Sequence, residues 1–404
     1  MAGISVGSPH GPSRSTCGYC SPPGARSPTK SSAQLAGISA IQLSCQIYQQ
    51  MIDRGWRRSG SYCYKPDLKA SCCPYYTIKL DALNYKPSKS KRKLVNRWNQ
   101  FMVPEDRSKA KDLPFSLSTA IHAAESDFCT TESPRHRFEI ILEPASYSPE
   151  KFQLYCKYQK DIHKEAEAEN TPQRFKRFLV DSPLLPSRIP YPYSSPPSAH
   201  LPENYGSYHQ LYKCDDKLIA VSVIDILPNC VSSVYFMYDS EWEDFSLGKL
   251  SALREISLAY EMHAAGAPGM AWLYLGYYIH SCPKMRYKGD YSPSYLADPE
   301  TYEWYPLEDC VPLLEQNRYA CFSNPHHSTT EFPDPSTVVD LPVLDDEALI
   351  SVHVVDSVEG NKLITSPVIT SSCWEDEEIR QDIVSCIAAL GIKIAEKIIF
   401  YVDD

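Results

Sequence analysis

The sequence lacks any uncharged apolar run long enough to cross a bilayer as a helix, which excludes a helical membrane protein. Its first residues, "MAGISVGSPHGPSRS", lack the apolar core of a secretory signal. An overall excess of positive charge is also missing. With a net charge of −10 and an isoelectric point near 5.6, contact with nucleic acid must rest on local basic patches. No Ser-His-Asp or Cys-His arrangement is apparent, so nothing points to a covalent nucleophile.

What is present is a large potential core and many thiols. The 404 residues are 43% hydrophobic and include 28 Tyr, enough for one large or two ordinary domains. Fifteen cysteines without a secretory signal imply reduced thiols, which favours metal binding or burial over disulfides. The cytosol, with or without the nucleus, is the expected compartment.

Two cysteine pairs stand out. "STCGYCSP" holds Cys17 and Cys20 in a C-x-x-C, and "KASCCPYYTIKL" holds Cys72 and Cys73 side by side. Adjacent cysteines rarely bridge each other, because a relaxed disulfide needs a specific geometry. Four thiolates that converge suit Zn²⁺ or an iron–sulfur cluster. Read from spacing alone, Cys72 or Cys73 is equally a buried small hydrophobe.

Residues 21–40 are rich in Ser, Gly, Ala and Pro and read as a flexible connection, and 41–53 as a helix. "GWRRSGSYCYKP" and "CCPYYTIKL" alternate like strands. Residues 86–97 carry six Lys or Arg and no acid, and 104–134 read as a linker. "HRFEIILEPASY" is a strand, followed by a helix with Ser148 as its N-cap. Seven prolines make 183–202 a loop. "KLIAVSVIDIL" and "VSSVYFMYD" are strands joined at Pro228-Asn229. "SLGKLSALREISLAYEMH" is a helix with Ser246 as N-cap and Leu247, Leu250, Leu253 and Ile256 buried, and "AWLYLGYYI" is another strand. This β-β-α-β order implies an α+β fold with a mixed sheet and a crossover helix. Residues 295–375 read as loop-rich and acidic, and 376–401 as one or two helices.

Several residues could carry chemistry, each with a plainer reading. The 86–97 run could hold phosphates or be a solvated helix face. Gly248 and Lys249 at a helix start could attract phosphate or simply open the helix. Glu255, flanked at helical spacing by Ala252 and Ala259, has room for a ligand, although a surface Glu is commoner. Lys284, Arg286 and Lys288 follow a buried strand where ligands often bind, or form a basic loop.

In series, "CGYC", "GWRRSG", "CCPYYTIKL", "FKRFLVDSP", "KLIAVSVIDILPNCVSSVYFMYD", "SLGKLSALREI", "YLGYYIHSCPKM" and "YKGDYSPSYL" resemble the eukaryotic, fungal-type arginyl-tRNA–protein transferases. The match spans most of 17–296. The resemblance implies transfer of arginine from Arg-tRNA to the α-amino group of proteins beginning with Asp, Glu or oxidised Cys. It further implies entry of the product into N-degron, ubiquitin-dependent degradation, with ubiquitin-ligase machinery as a partner. It implies a GNAT-like acyltransferase domain beside a smaller N-terminal domain in which Cys17, Cys20, Cys72 and Cys73 hold zinc or an iron–sulfur cluster. The expected division is an N-terminal domain at 1–85, a basic segment and linker at 86–136, a catalytic domain at 137–296 and a C-terminal extension packed on it at 297–404.

Arg-tRNA is an activated ester, so ATP is not required. An α-amino group with a reference pKa of about 8 is partly neutral near pH 7, so no strong base is required either. The enzyme must align amine and ester and stabilise an oxyanion. The donor guanidinium needs a carboxylate: Glu255 first, then Asp225 or Asp239. The acceptor's acidic side chain needs cations, from Arg57, Arg58, Lys284 and Lys288. Tyr235 and Tyr277 could line the cleft. Lys89, Lys91, Arg92, Lys93 and Arg97, with Lys249, offer a track for tRNA. Two alternatives remain. A CoA-dependent N-acetyltransferase would need a paired-glycine loop where "FSLGKL" has one glycine, and a metal-binding adaptor would show no dependence on aminoacyl-tRNA.

Overall fold

The computed structural model describes residues 3–22, 25–104, 115–129, 131, 134–165, 169–194, 196–334, 341–360 and 362–402. The chain opens with β1 (Ser5–His10), β2 (Ser13–Ser15) and β3 (Ser32–Ser44). Then come α1 (Cys45–Asp53), β4 (Arg57–Ser59), β5 (Tyr62–Pro66), β6 (Tyr76–Asp81), α2 (Lys89–Met102) and α3 (Leu117–His122). Next are β7 (Phe138–Pro144), α4 (Pro149–Tyr158), α5 (Pro172–Phe175), β8 (Leu184–Leu185) and β9 (Ser187–Arg188). β10 (Asn204–Cys214), β11 (Lys217–Ile226), β12 (Cys230–Tyr238), α6 (Leu247–Ala264) and β13 (Trp272–Tyr278) form the centre. The last third holds α7 (Pro283–Arg286), β14 (Ser294–Ala297), β15 (Trp304–Pro306), α8 (Leu307–Gln316) and α9 (Asp346–Ser351). It ends with β16 (His353–Glu359), β17 (Lys362–Pro367), α10 (Glu377–Leu390), α11 (Ile392–Ala395) and β18 (Ile398–Phe400).

Among the described residues these strands make two mixed sheets. One runs β17-β16-β18-β1-β3-β5-β4, the other β15-β14-β6-β13-β12-β11-β10-β7. The second explains the most apolar stretch of the sequence. Val221 and Val223 of β11 pack with Leu154, Tyr155 and Phe175 of α4 and α5, while Ala220, Ile224 and Ile226 belong to the main core with α6. A strand covered on both faces reads as a continuous apolar run. β12 and β13 are parallel, and α6 is the crossover between them, as the β-β-α-β order implied.

Their pairing is short. Cys230, Val231 and Ser232 oppose Trp272, Leu273 and Tyr274, and no further pairs follow. Beyond that point β12 pairs only with β11, and β13 pairs with β6 through a register shift between Tyr274 and Tyr277. Gly276 sits in that irregularity with φ of +69°, a conformation that side chains other than glycine rarely adopt. The two central strands therefore splay apart.

Several readings change. Residues 32–40, expected to be a flexible connection, lie in the thirteen-residue strand β3, and the helix expected from residue 41 starts at Cys45. Alternation of small and apolar side chains on β3 makes a buried strand with little aromatic signal. Strand β6, assigned to the N-terminal segment, pairs with β13 and β14 of the second sheet. The C-terminal extension does not pack on the catalytic sheet alone: β18 pairs in parallel with β1. Ser246 precedes α6 but its side chain makes no capping hydrogen bond, its φ being +53°. The expected linker contains α3, while 105–114, 130 and 132–133 lie outside the described residues.

Candidate active site

Where β12 and β13 splay, a cavity of about 540 Å³ opens over α6. Its walls include Arg57, Arg58, Tyr235, Glu255, Tyr277, Lys284 and Lys288, seven residues singled out by sequence. Elements distant in the chain supply them: β4, β12, α6, β13, α7 and the turn after α7.

Glu255 is not the surface residue that base expectation favours. It is 1% exposed, on the face of α6 turned to the sheet. Its Oε1 accepts from Ser222 Oγ at 2.7 Å and Ser251 Oγ at 2.9 Å. Among the described residues its Oε2 has no donor in hydrogen-bonding geometry. Burial pushes its carboxyl up; the hydroxyls of Ser222 and Ser251, with Ser233 as a weaker influence, oppose this. A buried acceptor oxygen without a donor is expensive unless something fills the place.

The same cavity is also lined by cations. Arg57 donates through Nη1 to the carbonyls of Ile52 and Trp56 and through Nη2 to that of Gly276, with no carboxylate among these partners. Lys288 Nζ donates to the Tyr277 carbonyl at 2.6 Å, and burial together with Arg57 brings its pKa down to about 7. Lys284 is exposed at the rim. Tyr277 gives its hydroxyl to the Gly55 carbonyl at 2.8 Å, so only its ring faces the cavity. The Tyr235 hydroxyl donates to Gln159 Oε1 at 3.0 Å.

Three expected residues are committed elsewhere. Asp225 is fully buried and holds Arg58, with Nε–Oδ2 at 2.8 Å and Nη2–Oδ1 at 2.6 Å, so neither is left to read a ligand's charge. Asp239 is bound by Lys157 and Lys217, accepts from the Glu241 amide, and lies outside the cavity lining. Their positions next to strand ends resemble those of ligand readers in sequence, but the ion pairs neutralise them.

The basic run is mainly helix α2 and it divides. Lys93 and Arg97, with Lys249 and Lys91, line a second concavity of about 480 Å³. Lys91 is buried with its Nζ 3.8 Å from the Tyr291 ring centroid, so it supports that wall from within. Arg92 faces a different hollow, 5.9 Å from the Phe115 ring, and Lys89 projects from the helix start. Sequence reasoning did not find Ser232, Ser233, His163, Tyr158, Tyr287 or Met285 in the main cavity. Two consecutive serines in an otherwise apolar strand were the available signal.

The four cysteines do meet. Their sulfurs all lie within 4.8 Å of one another, with Cys20 and Cys72 at 3.7 Å. Metal–sulfur bonds of about 2.3 Å put tetrahedral ligands about 3.8 Å apart, so the set fits zinc or a thiolate-held cluster. The Tyr19 amide donates to Cys17 Sγ at 3.3 Å. Hydrogen bonds from Cys73 first, then Ser31, bring the Cys72 thiol down to about 5, while burial and Cys72 push Cys20 up to about 11. Cys17 and Cys73 share a buried cluster with Ile279 and Cys282, against which Met285 of the main cavity packs.

Two family models match in chain order. "Arginine-tRNA-protein transferase, N terminus" covers 15–93, and "Arginine-tRNA-protein transferase, C terminus" covers 150–298. An arginyl-tRNA–protein transferase 1 of Drosophila melanogaster is 34% identical over 78% of this chain and 85% of its own length. The chain belongs to the arginyl-tRNA–protein transferase family. The Saccharomyces cerevisiae member is 35% identical over 70% of this chain and 55% of its own. An aspartate/glutamate leucyltransferase of Campylobacter jejuni is 29% identical over 55% of this chain and 87% of its own. For a transferase of this family, the first model takes in β4 and ends inside α2, and the second takes in β12, α6 and β13.

Proposed function

We infer that this protein transfers arginine from Arg-tRNA to the α-amino group of proteins with an acidic first residue: Asp, Glu or oxidised Cys. One observation carries the reading: a single cavity is lined both by a buried carboxylate, one oxygen of which has no donor among the described residues, and by the cations Arg57, Lys284 and Lys288, whose described hydrogen bonds go to no carboxylate. A guanidinium fits the first and an acidic side chain the second.

In this reading Glu255 Oε2 receives the donor's guanidinium. Arg57, Lys284 and Lys288 face the acceptor's acidic group. The acceptor amine attacks the ester carbonyl, the C–N bond forms, the bond to the ribose oxygen breaks, and the amine's proton is returned to that oxygen. The cavity's cations favour the negative charge that develops on the carbonyl oxygen. The concavity lined by Lys93, Arg97 and Lys249 adjoins the start of α6 and takes tRNA phosphates. Cys17, Cys20, Cys72 and Cys73 hold the metal or cluster. Four thiolates leave it no open position, so it braces the wall that carries Met285 rather than meeting substrate. Delivery of the product to ubiquitin-dependent degradation, in the cytosol or nucleus, completes the proposal.

The test is direct. The protein is incubated with an Asp-initiated peptide and either labelled Arg-tRNA or labelled acetyl-CoA. Label arriving only from Arg-tRNA supports the reading. Label from acetyl-CoA, or from neither donor, rejects it.

A further inference from the structure

Away from the four cysteines, three side chains from separate segments converge. His122 ends α3, His200 lies on the loop between β9 and β10, and Glu261 is on α6. His122 Nε2 is 3.1 Å from both Glu261 oxygens, and His200 Nε2 is 2.7 Å from Oε2. All three donor atoms lie within 4.8 Å of one another.

We propose that His122, His200 and Glu261 form a second metal site, for a divalent ion of the zinc class, with an open fourth position.

Two imidazoles and one carboxylate from protein, plus a free position, are a recurrent zinc ligand set. The surroundings match what such ligands need. A metal-bound histidine usually gives its other nitrogen to a carboxylate, which fixes its orientation. His122 Nδ1 is 2.8 Å from Glu125 Oε1, and Glu125 is itself buried and paired with Arg254. The Phe128 ring packs 4.4 Å from His122 and 5.3 Å from His200, centroid to centroid, shielding one side. Ser257 Oγ donates to Glu261 Oε1 at 2.5 Å and orients it. The other side opens into a cavity of about 310 Å³, which leaves room for a water or ligand at the fourth position.

The plainer alternative is a hydrogen-bonded charge network of the same three side chains. A metal at this position ties α3 and the 189–203 loop to the helix that carries Glu255. This site stands apart from the transfer reaction and does not depend on the reading given above.

Cobalt distinguishes it from the cysteine centre. Full-length protein is stripped of metal and loaded with Co²⁺ at mildly alkaline pH, and bound metal and visible absorption are measured. The wild type should hold one equivalent beyond the thiolate-bound metal, with weak visible bands and no sulfur-to-metal charge transfer. Cys72→Ser should lose the charge-transfer absorption and keep the additional equivalent. His200→Gln should do the reverse. His200 is 30% exposed on a loop, so its loss removes a ligand without opening the core. Glu125→Gln should weaken the additional site about 10- to 100-fold. A wild type with no cobalt outside the thiolates, or a His200→Gln protein with the same non-thiolate cobalt, overturns the proposal.

Discussion

Arg58 on β4 and Asp225 on β11 form a two-pronged ion pair, both side chains buried, that joins the two sheets beneath the cavity. Ser207 stands beside it, accepting from Arg58 Nη2 and donating to Asp225 Oδ1. Truncating either partner leaves the other charge buried and alone. Arg58→Ala should therefore lower unfolding stability by about 3–5 kcal/mol. The double variant with Asp225→Ala should lose less than the sum of the two single losses. Denaturant unfolding measures both, and an unchanged midpoint for Arg58→Ala would remove the structural role assigned here.

Glu255→Gln should leave the fold intact while weakening use of Arg-tRNA. The substitution keeps shape and removes a charge-assisted hydrogen bond worth about 1.5–3 kcal/mol, which is about a 10- to 150-fold effect. The expected readout is a fall in kcat/KM for Arg-tRNA with an unaltered thermal midpoint. An unchanged kcat/KM at limiting Arg-tRNA would return the search to another carboxylate.

Much of this architecture could be read in the sequence, and the failures have physical causes. The crossover helix and its flanking strands were legible because burial on both faces leaves mostly apolar residues. Strand β3 was missed because small residues dominate it and only Ile38 and Ile41 are β-branched, with no aromatic among them. The seven cavity residues were recognisable as types. Their contacts were not, because they depend on non-local pairing such as that of β6 with β13. Arg58 and Arg57 look alike in "GWRRSG", and only the partner, Asp225 167 positions away, separates them.

Replacing Lys93, Arg97 and Lys249 with Gln should weaken tRNA binding most at low salt. Each lost phosphate contact should flatten the log–log salt dependence by about 0.7–0.9. Lys91→Gln should behave differently, lowering thermal stability through loss of its place over the Tyr291 ring. A slope equal to that of wild type in the triple variant would make this surface a solvated face.

The Lys288 ammonium is disfavoured by burial and Arg57, which bring its pKa to about 7. The unfolded chain binds that proton up to about pH 10.4. Between these values the unfolded state holds more protons than the folded one, so this residue's contribution to stability falls as pH falls. Lys288→Met removes that dependence. Its stability relative to wild type should rise from about pH 10 down to about pH 7 and level off below, while transfer to Asp-initiated peptides declines. Unfolding midpoints across this range check the sign; a constant difference would contradict the assignment.

Cys73→Ser should lower the thiolate-held metal or cluster content and reduce transfer while leaving residual activity, because the cavity's charged groups lie outside the centre. Metal and sulfide analysis of protein purified without oxygen gives the content. Full content in this variant would exclude Cys73 as a ligand.

The central claim is that a buried carboxylate selects arginine as the donor residue in a cavity whose cations read an acidic acceptor. The most direct measurement is the ratio of kcat/KM for Arg-tRNA over Leu-tRNA with one Asp-initiated peptide, in wild type and Glu255→Gln. The expected result is a strong preference for Arg-tRNA in the wild type that shrinks by about 10- to 150-fold in the variant, with Leu-tRNA use little changed. An equal ratio in the two proteins would contradict the account.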